Sequence, residues 1–361
     1  MSSTIGTGYG ILPTLIANST SVHQQLDTLT EQASTGLVSQ TYAGLGGEAS
    51  VSLNLNPQLA ALQTYQNDIG QATGSMAVTP TAMTQIQQIA STFVADIPDL
   101  NDVDSSEVDS IAAQANSALQ EVAGLLDTQD GSSYVFGGQD SANPPVPSPD
   151  DILSSGFYTQ INAAVSALST NGATATTAAT LEIASSNAAG TSPFSAYMSQ
   201  PASAISAPVV QTGEGGTVQT GLLASANSVA VSSGTSTTGS YMRDLMRALA
   251  TLGSLSSSQV DDTGFAALVQ DTGTSLNGVV SAMATDVGVL GNTQSNLTAT
   301  QTQLSDTATA LTGQLSSVQD VNMAQTLSSL TSMQTQLQAS YRLISGETSL
   351  SLVNFLPTTT G

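Results

Sequence analysis

Between Leu59 and Ile97 the apolar positions recur at alternating steps of three and four: Leu62, Tyr65, Ile69, Ala72, Met76, Thr79, Met83, Ile86, Ala90, Phe93 and Ile97. A 3.5-residue repeat keeps one seam turned toward a partner, so this spacing predicts a long helix packed along its length. Pro80 predicts a kink or local break within it, and Pro98 its end. A second helix is expected from Ser105 or Ser106, with Val108, Ile111, Ala112, Ala115, Leu119, Val122 and Leu126 inward. It should stop before the Asp130-Gly131 turn. Toward the other end Leu276, Met283, Leu290, Leu297, Leu304, Leu311 and Val318 fall at every seventh position. Their companion row, Val280, Val287, Gln294, Gln301, Ala308 and Leu315, is polar in its middle. At QDVNM, residues 319–323, the phase slips. Met323, Leu327, Leu330, Gln334, Leu337, Tyr341 and Ile344 then resume the spacing as far as Gly346. Such a slip marks local unwinding or a joint between two helices.

The first forty residues carry one more amphipathic stretch. Leu12, Ile16, Ser19, His23, Leu26, Thr30, Ala33 and Leu37 share the spacing, and Gly36 with the Gly44–Gly47 cluster ends it. Helices that need partners therefore sit at both ends of the chain, and antiparallel pairing of the ends is the simplest way to bury them. The stretch from about 141 to 235 reads differently. It opens on SANPPVPSPDD and continues in Ala, Ser, Thr and Gly with no sustained helical phase, which suggests an exposed, loosely specified insertion. TLEIAS at 180–185 has strand character, and VVQT and TVQT flank Gly213-Glu214-Gly215-Gly216 as a hairpin should. A short helix is expected at about 240–253, with Tyr241, Leu245, Ala248 and Leu252 on one side.

The 361 residues leave room for a sizeable core in two or three domains, yet only 8% are charged where about 25% is usual. Acids outnumber bases 26 to 3, for a net charge of -23; the bases are Arg243, Arg247 and Arg342, and lysine is absent. No basic patch for nucleic acid can be built from three arginines, nor a helix that docks on anionic lipid. Without cysteine there are no disulfides and no thiolate metal ligands. No apolar run approaches the roughly 20 residues that span a bilayer. The beginning, MSSTIGTGYGILPTLIANS, lacks the basic start and apolar stretch of a cleaved secretory signal, so the expectation is a chain that stays inside or leaves by another route.

Candidate chemistry is thin, and no catalytic residue, metal ligand or cofactor is expected. His23, the one histidine, falls on the expected apolar seam, and a histidine facing a partner helix outweighs a catalytic base that lacks a distinguishable nucleophile. Asp96, Asp99, Asp102, Asp104, Glu107 and Asp109 lack the alternation and the glycine of a calcium loop; they suit a helix start instead. GTGYG at 6–10 and GEGG at 213–216 neither link a strand to a helix nor carry a lysine, and read as turns rather than phosphate loops. What remains is a chain whose two ends call for ordered self-association.

LDTLTEQASTGLVSQ at 26–40 resembles the N-terminal signature of flagellins and their relatives at the hook–filament junction. SSVQDVNMAQTLSSLTSMQTQLQAS at 316–340, with Asp320, Asn322, Met323 and Ala324 in place of an Asp-x-Asp-x-Ala-type motif, and the ending ISGETSLSLVNFL resemble that family's C-terminal segment. VVQTGEGGTVQTGLLA at 209–224 looks like the β-element before its C-terminal helices. The resemblance covers about 1–140 and 208–361. Three departures accompany it: Tyr42–Gly46 replaces an acidic pair, Gln325 stands where an acid is common, and QIQQI at 85–89 lacks the arginine of flagellins that innate receptors recognise.

The resemblance implies a mainly α protein: a long antiparallel bundle or coiled coil formed by the N- and C-terminal segments, with a small β-containing insertion domain. It divides the chain into a terminal assembly segment at 1–44, core halves at 45–140 and 208–311, a variable insertion at 141–207, and a second assembly segment at 312–361. It implies a structural, non-enzymatic subunit of the extracellular bacterial flagellum, exported without a cleaved signal peptide. Expected partners are copies of itself in a helical filament or neighbouring axial proteins, with an export chaperone, and neither nucleic acid nor membrane insertion. Leu26, Leu29, Ala33, Leu37, Leu327, Leu330, Leu337, Ile344, Leu352 and Phe355 are the residues it places at subunit contacts. GSSYVFGGQDSANPPV at 131–146 is similar to a Gly-x-Tyr-x-Phe-x-Gly turn of the junction protein, hook-associated protein 3, so filament and junction roles both stay open. A secreted adhesin with a Ser/Thr/Ala-rich binding region is the rival from another class.

Overall fold

The computed structural model describes residues 11–101, 105–226 and 236–349. Eight helices and two short hairpins occur among them: α1 Ile11–Thr35, α2 Ala49–Asn101, α3 Ser105–Leu126, α4 Gly156–Ser166, α5 Leu168–Ser185, α6 Tyr241–Gly253, α7 Phe265–Gln319, α8 Met323–Ser349; β1 Gln129–Asp130, β2 Ser133–Tyr134, β3 Val209–Gly213 and β4 Gly216–Gln219. The fold is mainly α, and among the described residues the named strands form two hairpins. The chain divides into two compact units, Met1–Leu62 with Asp306–Gly361, and Gln63–Ser305.

In the larger unit α2 and α7 face each other along their predicted seams. Ile69, Met76, Met83, Ile86, Ala90 and Phe93 of α2 are buried, as are Leu276, Met283, Leu290 and Leu297 of α7. The amide of Gln301 donates to the Gln66 carbonyl at 3.2 Å, and that of Gln87 to the Val280 carbonyl at 3.5 Å. Numbers rise in one helix as they fall in the other, so the pair is antiparallel. The polar gap in the α7 companion row is thus filled by an amide that satisfies a backbone carbonyl. The expected break at Pro80 and stop at Pro98 do not occur, since α2 continues to Asn101. A proline costs a helix one hydrogen bond and crowds the carbonyl four residues back. Here Met76, Thr79, Ala82 and Met83 are all buried around Pro80 and hold the helix through that loss.

α3 starts at Ser105, and all seven of its expected inward residues are buried. It packs on α6, the element that the sequence describes least well. All 13 residues of α6 are buried, so the expectation of one apolar side gives way to a helix enclosed on every face. Its two arginines are inside with the rest.

The stretch 141–207 also departs from expectation. It is neither exposed nor strand-bearing: Phe157, Ile161, Val165, Leu168, Ala184, Phe194, Met198 and Ile205 join the same hydrophobic core as α3 and α6. TLEIAS is the last part of α5 rather than a strand. Its β-branched residues are compatible with a helix because Thr176, Thr180 and Ala184, at intervals of four, form one buried face, and α5 packs on α6. The proline segment is pinned by Asp127, whose carboxylate accepts the Val146 N–H at 2.9 Å. The hairpin predicted around Gly213–Gly216 is present, with Val210 opposite Val218 and a register irregularity next to the turn. In the other hairpin the chain after β2 folds back so that Gly137 bridges Leu223. Gly138 there has φ 63 and lies so close to Leu223 and the Ser206 carbonyl that no side chain fits.

Candidate assembly surface

The smaller unit brings the two ends of the chain together. α1 ends at Thr35, and Gly36 at φ 75 turns the chain out of the helix while its N–H still reaches the Gln32 carbonyl at 2.9 Å. The turned chain then clips onto the joint between α7 and α8. Val38 donates to the Gln319 carbonyl at 2.7 Å, Val321 donates to the Gly36 carbonyl at 2.9 Å, and Leu37 faces Asp320 in an antiparallel bridge. The Gln32 side chain closes the turn by donating to the Val38 carbonyl at 2.9 Å, and Gln319 donates to the Ser52 hydroxyl at 2.6 Å. The phase slip at QDVNM is therefore a joint between helices, stabilised by backbone bonds to the other terminus. From this clip α1 and α8 run antiparallel and pack on each other.

Each helix of the pair uses one of its two expected rows and rejects the other. On α1 the inward face is Leu15, Ser19, Val22, Leu26, Leu29 and Ala33, all buried or half-buried, while Ile16, His23 and Thr30 are exposed. His23 thus corrects the seam assignment: it points to solvent, one residue on from Val22, which is 8% exposed. The row Leu15, Val22, Leu29 is apolar throughout and Ile16, His23, Thr30 is not, a difference legible in the sequence. On α8 the inward face is Thr326, Leu330, Met333, Leu337, Ser340 and Ile344. The discarded companion row, Leu327, Gln334, Tyr341, is the more apolar of the two, yet it lies outside. Leu327 is 51% exposed, and Met323, Tyr341 and Leu343 are exposed beside it.

Of the ten residues expected at contacts, Leu26, Leu29, Ala33, Leu37, Leu330, Leu337 and Ile344 are half-buried in this unit and Leu327 is exposed. Leu352 and Phe355 lie outside the described residues. Ile16, Met323, Tyr341 and Leu343 are the surface residues that seam counting missed. Their signal is an apolar row left over once the better-matched partner row is assigned.

No group of three or more potential metal-ligating side chains occurs among the described residues. Of the acids near the start of α3, Asp109 accepts the Ser257 N–H at 2.8 Å, and this bond holds its carboxyl below the ordinary range. Burial, with Asp99 nearby, raises Asp96. No described helix is long and apolar enough to cross a membrane.

Residues 274–356 match the family model of the bacterial flagellin C-terminal helical region. This match supports the resemblance to the bacterial flagellin family over the C-terminal region. The match spans most of α7, the clipped joint and α8, so it covers the half of the helix pair that carries the surplus apolar row. A flagellin-family chain is a structural subunit associated with the bacterial flagellum and its motility, in keeping with a surface built from packing residues. No curated protein matches the chain.

Proposed function

We propose that this protein is an extracellular axial subunit of the flagellin family that polymerises through the α1–α8 pair into the flagellar filament. The observation that carries the reading is the choice of rows on α8: Thr326, Met333 and Ser340 face α1 while Leu327 and Tyr341 face outward. A lone antiparallel pair gains most by burying its more apolar row, at about 25 cal/mol per Å². Leaving that row outside is costly unless a further helix covers it. Copies that dock row against groove at a heterologous contact generate an open helical assembly rather than a closed ring. Leu352 and Phe355 extend the same apolar tail in sequence and join the contact in this reading. Export without a cleaved signal peptide, aided by a chaperone that covers the row before assembly, belongs to the same proposal.

The test uses the full chain. Leu327→Asp with Tyr341→Asp alters two exposed side chains, so helix content by circular dichroism stays unchanged and polymers disappear from sedimentation and electron microscopy. Deleting the last twenty or so residues has the same effect. Filaments of normal length from either variant would overturn the proposal.

A second reading, the hook–filament junction protein, is favoured by the turn at 131–146. Phe136 is fully buried there and its carbonyl accepts the Ala224 N–H at 3.1 Å, so the motif is a built structural feature. Immunogold labelling of intact cells with antibody to 141–207 separates the two. Gold along the filament identifies the filament subunit, and a single spot at the hook end identifies the junction protein. Gold scattered over the cell body contradicts both and favours an adhesin.

A further inference from the structure

Two of the three arginines sit within α6, but they are treated differently. Arg247, 1% exposed, lies 3.9 Å from the Asp271 carboxylate, the one ion pair among the described residues. It also donates to the Ser236 carbonyl at 2.8 Å and the Ser275 hydroxyl at 3.0 Å. Arg243, 8% exposed, meets no carboxylate among the described residues. Its Nε donates to the Ser225 carbonyl at 2.9 Å, Nη1 to the carbonyls of Ala184 at 3.0 Å and Ser186 at 3.3 Å, and Nη2 to the Asn187 amide oxygen at 2.7 Å. Its guanidinium lies 5.2 Å from the centre of the Phe194 ring.

These partners are dipoles and a ring face. The carbonyls at the end of α5 amount to about half a negative charge, so most of the cation stays uncompensated in a place where an isolated charge is costly. Burial alone lowers the pKa of Arg243, with no neighbouring carboxylate opposing it, whereas Asp244 and Asp271 oppose the same effect at Arg247. A guanidinium has five N–H donors, and four hydrogen bonds are made. One N–H and most of a positive charge are left over.

Beside this group is a cavity of about 420 Å³, lined by Arg243 together with Ser185, Asn187, Gln200, Ser225 and Ser240 among others. The described lining residues include no acid, although acids outnumber bases 26 to 3 in the chain. The volume lies within the usual range for small-molecule sites.

We propose that this cavity binds a small hydroxylated monocarboxylate, of the size and kind of a sugar acid, whose carboxylate completes the charge of Arg243. The hydroxyls and amides of the lining match hydroxyl groups on the ligand. One carboxylate suffices for one cation, and a second negative charge has nothing to meet.

Three arginines and no lysine make the side-chain N–H spectrum of the full-length monomer unusually simple. With ¹⁵N-labelled protein, glucuronate is expected to shift one of the three arginine Nε–H signals saturably, and glucose at the same concentrations is expected to shift none. Ala202→Trp places a large ring at an exposed position of the cavity wall and leaves every Arg243 bond in place. It should weaken the response at least tenfold with an otherwise unchanged spectrum. A non-saturating shift, an equal shift with sulfate or chloride, or undiminished binding by the tryptophan variant would each overturn the proposal. Saturable binding of an acidic peptide in preference to glucuronate would overturn it too, in favour of a neighbouring protein as the source of the carboxylate.

Discussion

Asp127 stands at the end of α3, where the helix dipole is negative, with its carboxylate half-buried under the proline segment. Desolvation raises its pKa from 3.8 to about 6, against the lowering effect of the bond from Val146. The folded chain therefore holds this proton more tightly than the unfolded chain does. Its contribution to stability is fully present below about pH 4 and is lost as pH rises through about 6. Asp127→Asn keeps an oxygen for the Val146 N–H and carries no charge. Allowing for solvent screening at a half-exposed site, it should stabilise the fold by about 1 kcal/mol at pH 7 and by almost nothing at pH 4, read from urea titrations at the two values. Arg247 predicts the opposite sign. Arg247→Ala leaves the Asp271 charge without its partner and a void in α6, and should cost about 3 kcal/mol at pH 7 by the same titration. Neither effect was visible in the residue types. The composition counts three arginines, but only the packing of α3, α5 and α7 around α6 shows that two of them are internal.

At the scale of elements, legibility followed the strength of the periodicity. α3 and the buried stretches of α2 and α7 carry long apolar seams, and each seam residue of α3 is where spacing puts it. α5 was misread because its buried face is Thr176, Thr180 and Ala184, small or polar residues that a search for large hydrophobics passes over. In α1 and α8 the repeat itself was right and one row was off by a single residue, since a heptad leaves two choices for the companion row. The choice is made by the partner helix and by the clip that sets their register. That clip gives a prediction of its own. A Cβ added at Gly36 meets no atom within 4 Å, so Gly36→Ala acts through its positive φ alone. The strain of about 1–2 kcal/mol should fall on the Leu37–Asp320 bridge. Faster amide exchange at Val38 and Val321, with exchange in α3 unchanged, is the expected result.

For the whole molecule the balance of 26 acids against 3 bases would set the conditions of the proposed assembly. With Arg243 and Arg247 inside, exposed carboxylates have almost no exposed cations among them, and subunits that pack side by side repel one another at neutral pH. Protonation toward pH 4 relieves this repulsion, so the critical concentration for polymerisation should fall steeply between pH 7 and pH 4. It should also fall with added salt at pH 7, through screening. A critical concentration that is flat in both titrations would remove the electrostatic argument. The proposed contact row and this charge effect are separable, because the aspartate variants at Leu327 and Tyr341 should fail to polymerise even at high salt.

The enclosure of α6 also decides how this chain meets a protease. Trypsin cuts after lysine and arginine, and here it has three bonds to choose from in 361 residues. Two of them are sealed in a helix that is buried on every face. Only Arg342 is exposed, on α8 between Tyr341 and Leu343. Brief digestion of the native monomer should therefore yield a single nick, separating residues 343–361 and with them Leu352 and Phe355 of the proposed contact, as mass spectrometry would show. The proposed contact would cover the same bond, so resistance to trypsin would become a direct readout of assembly, and a trypsin-rich setting would spare the finished structure while disarming its unassembled subunits.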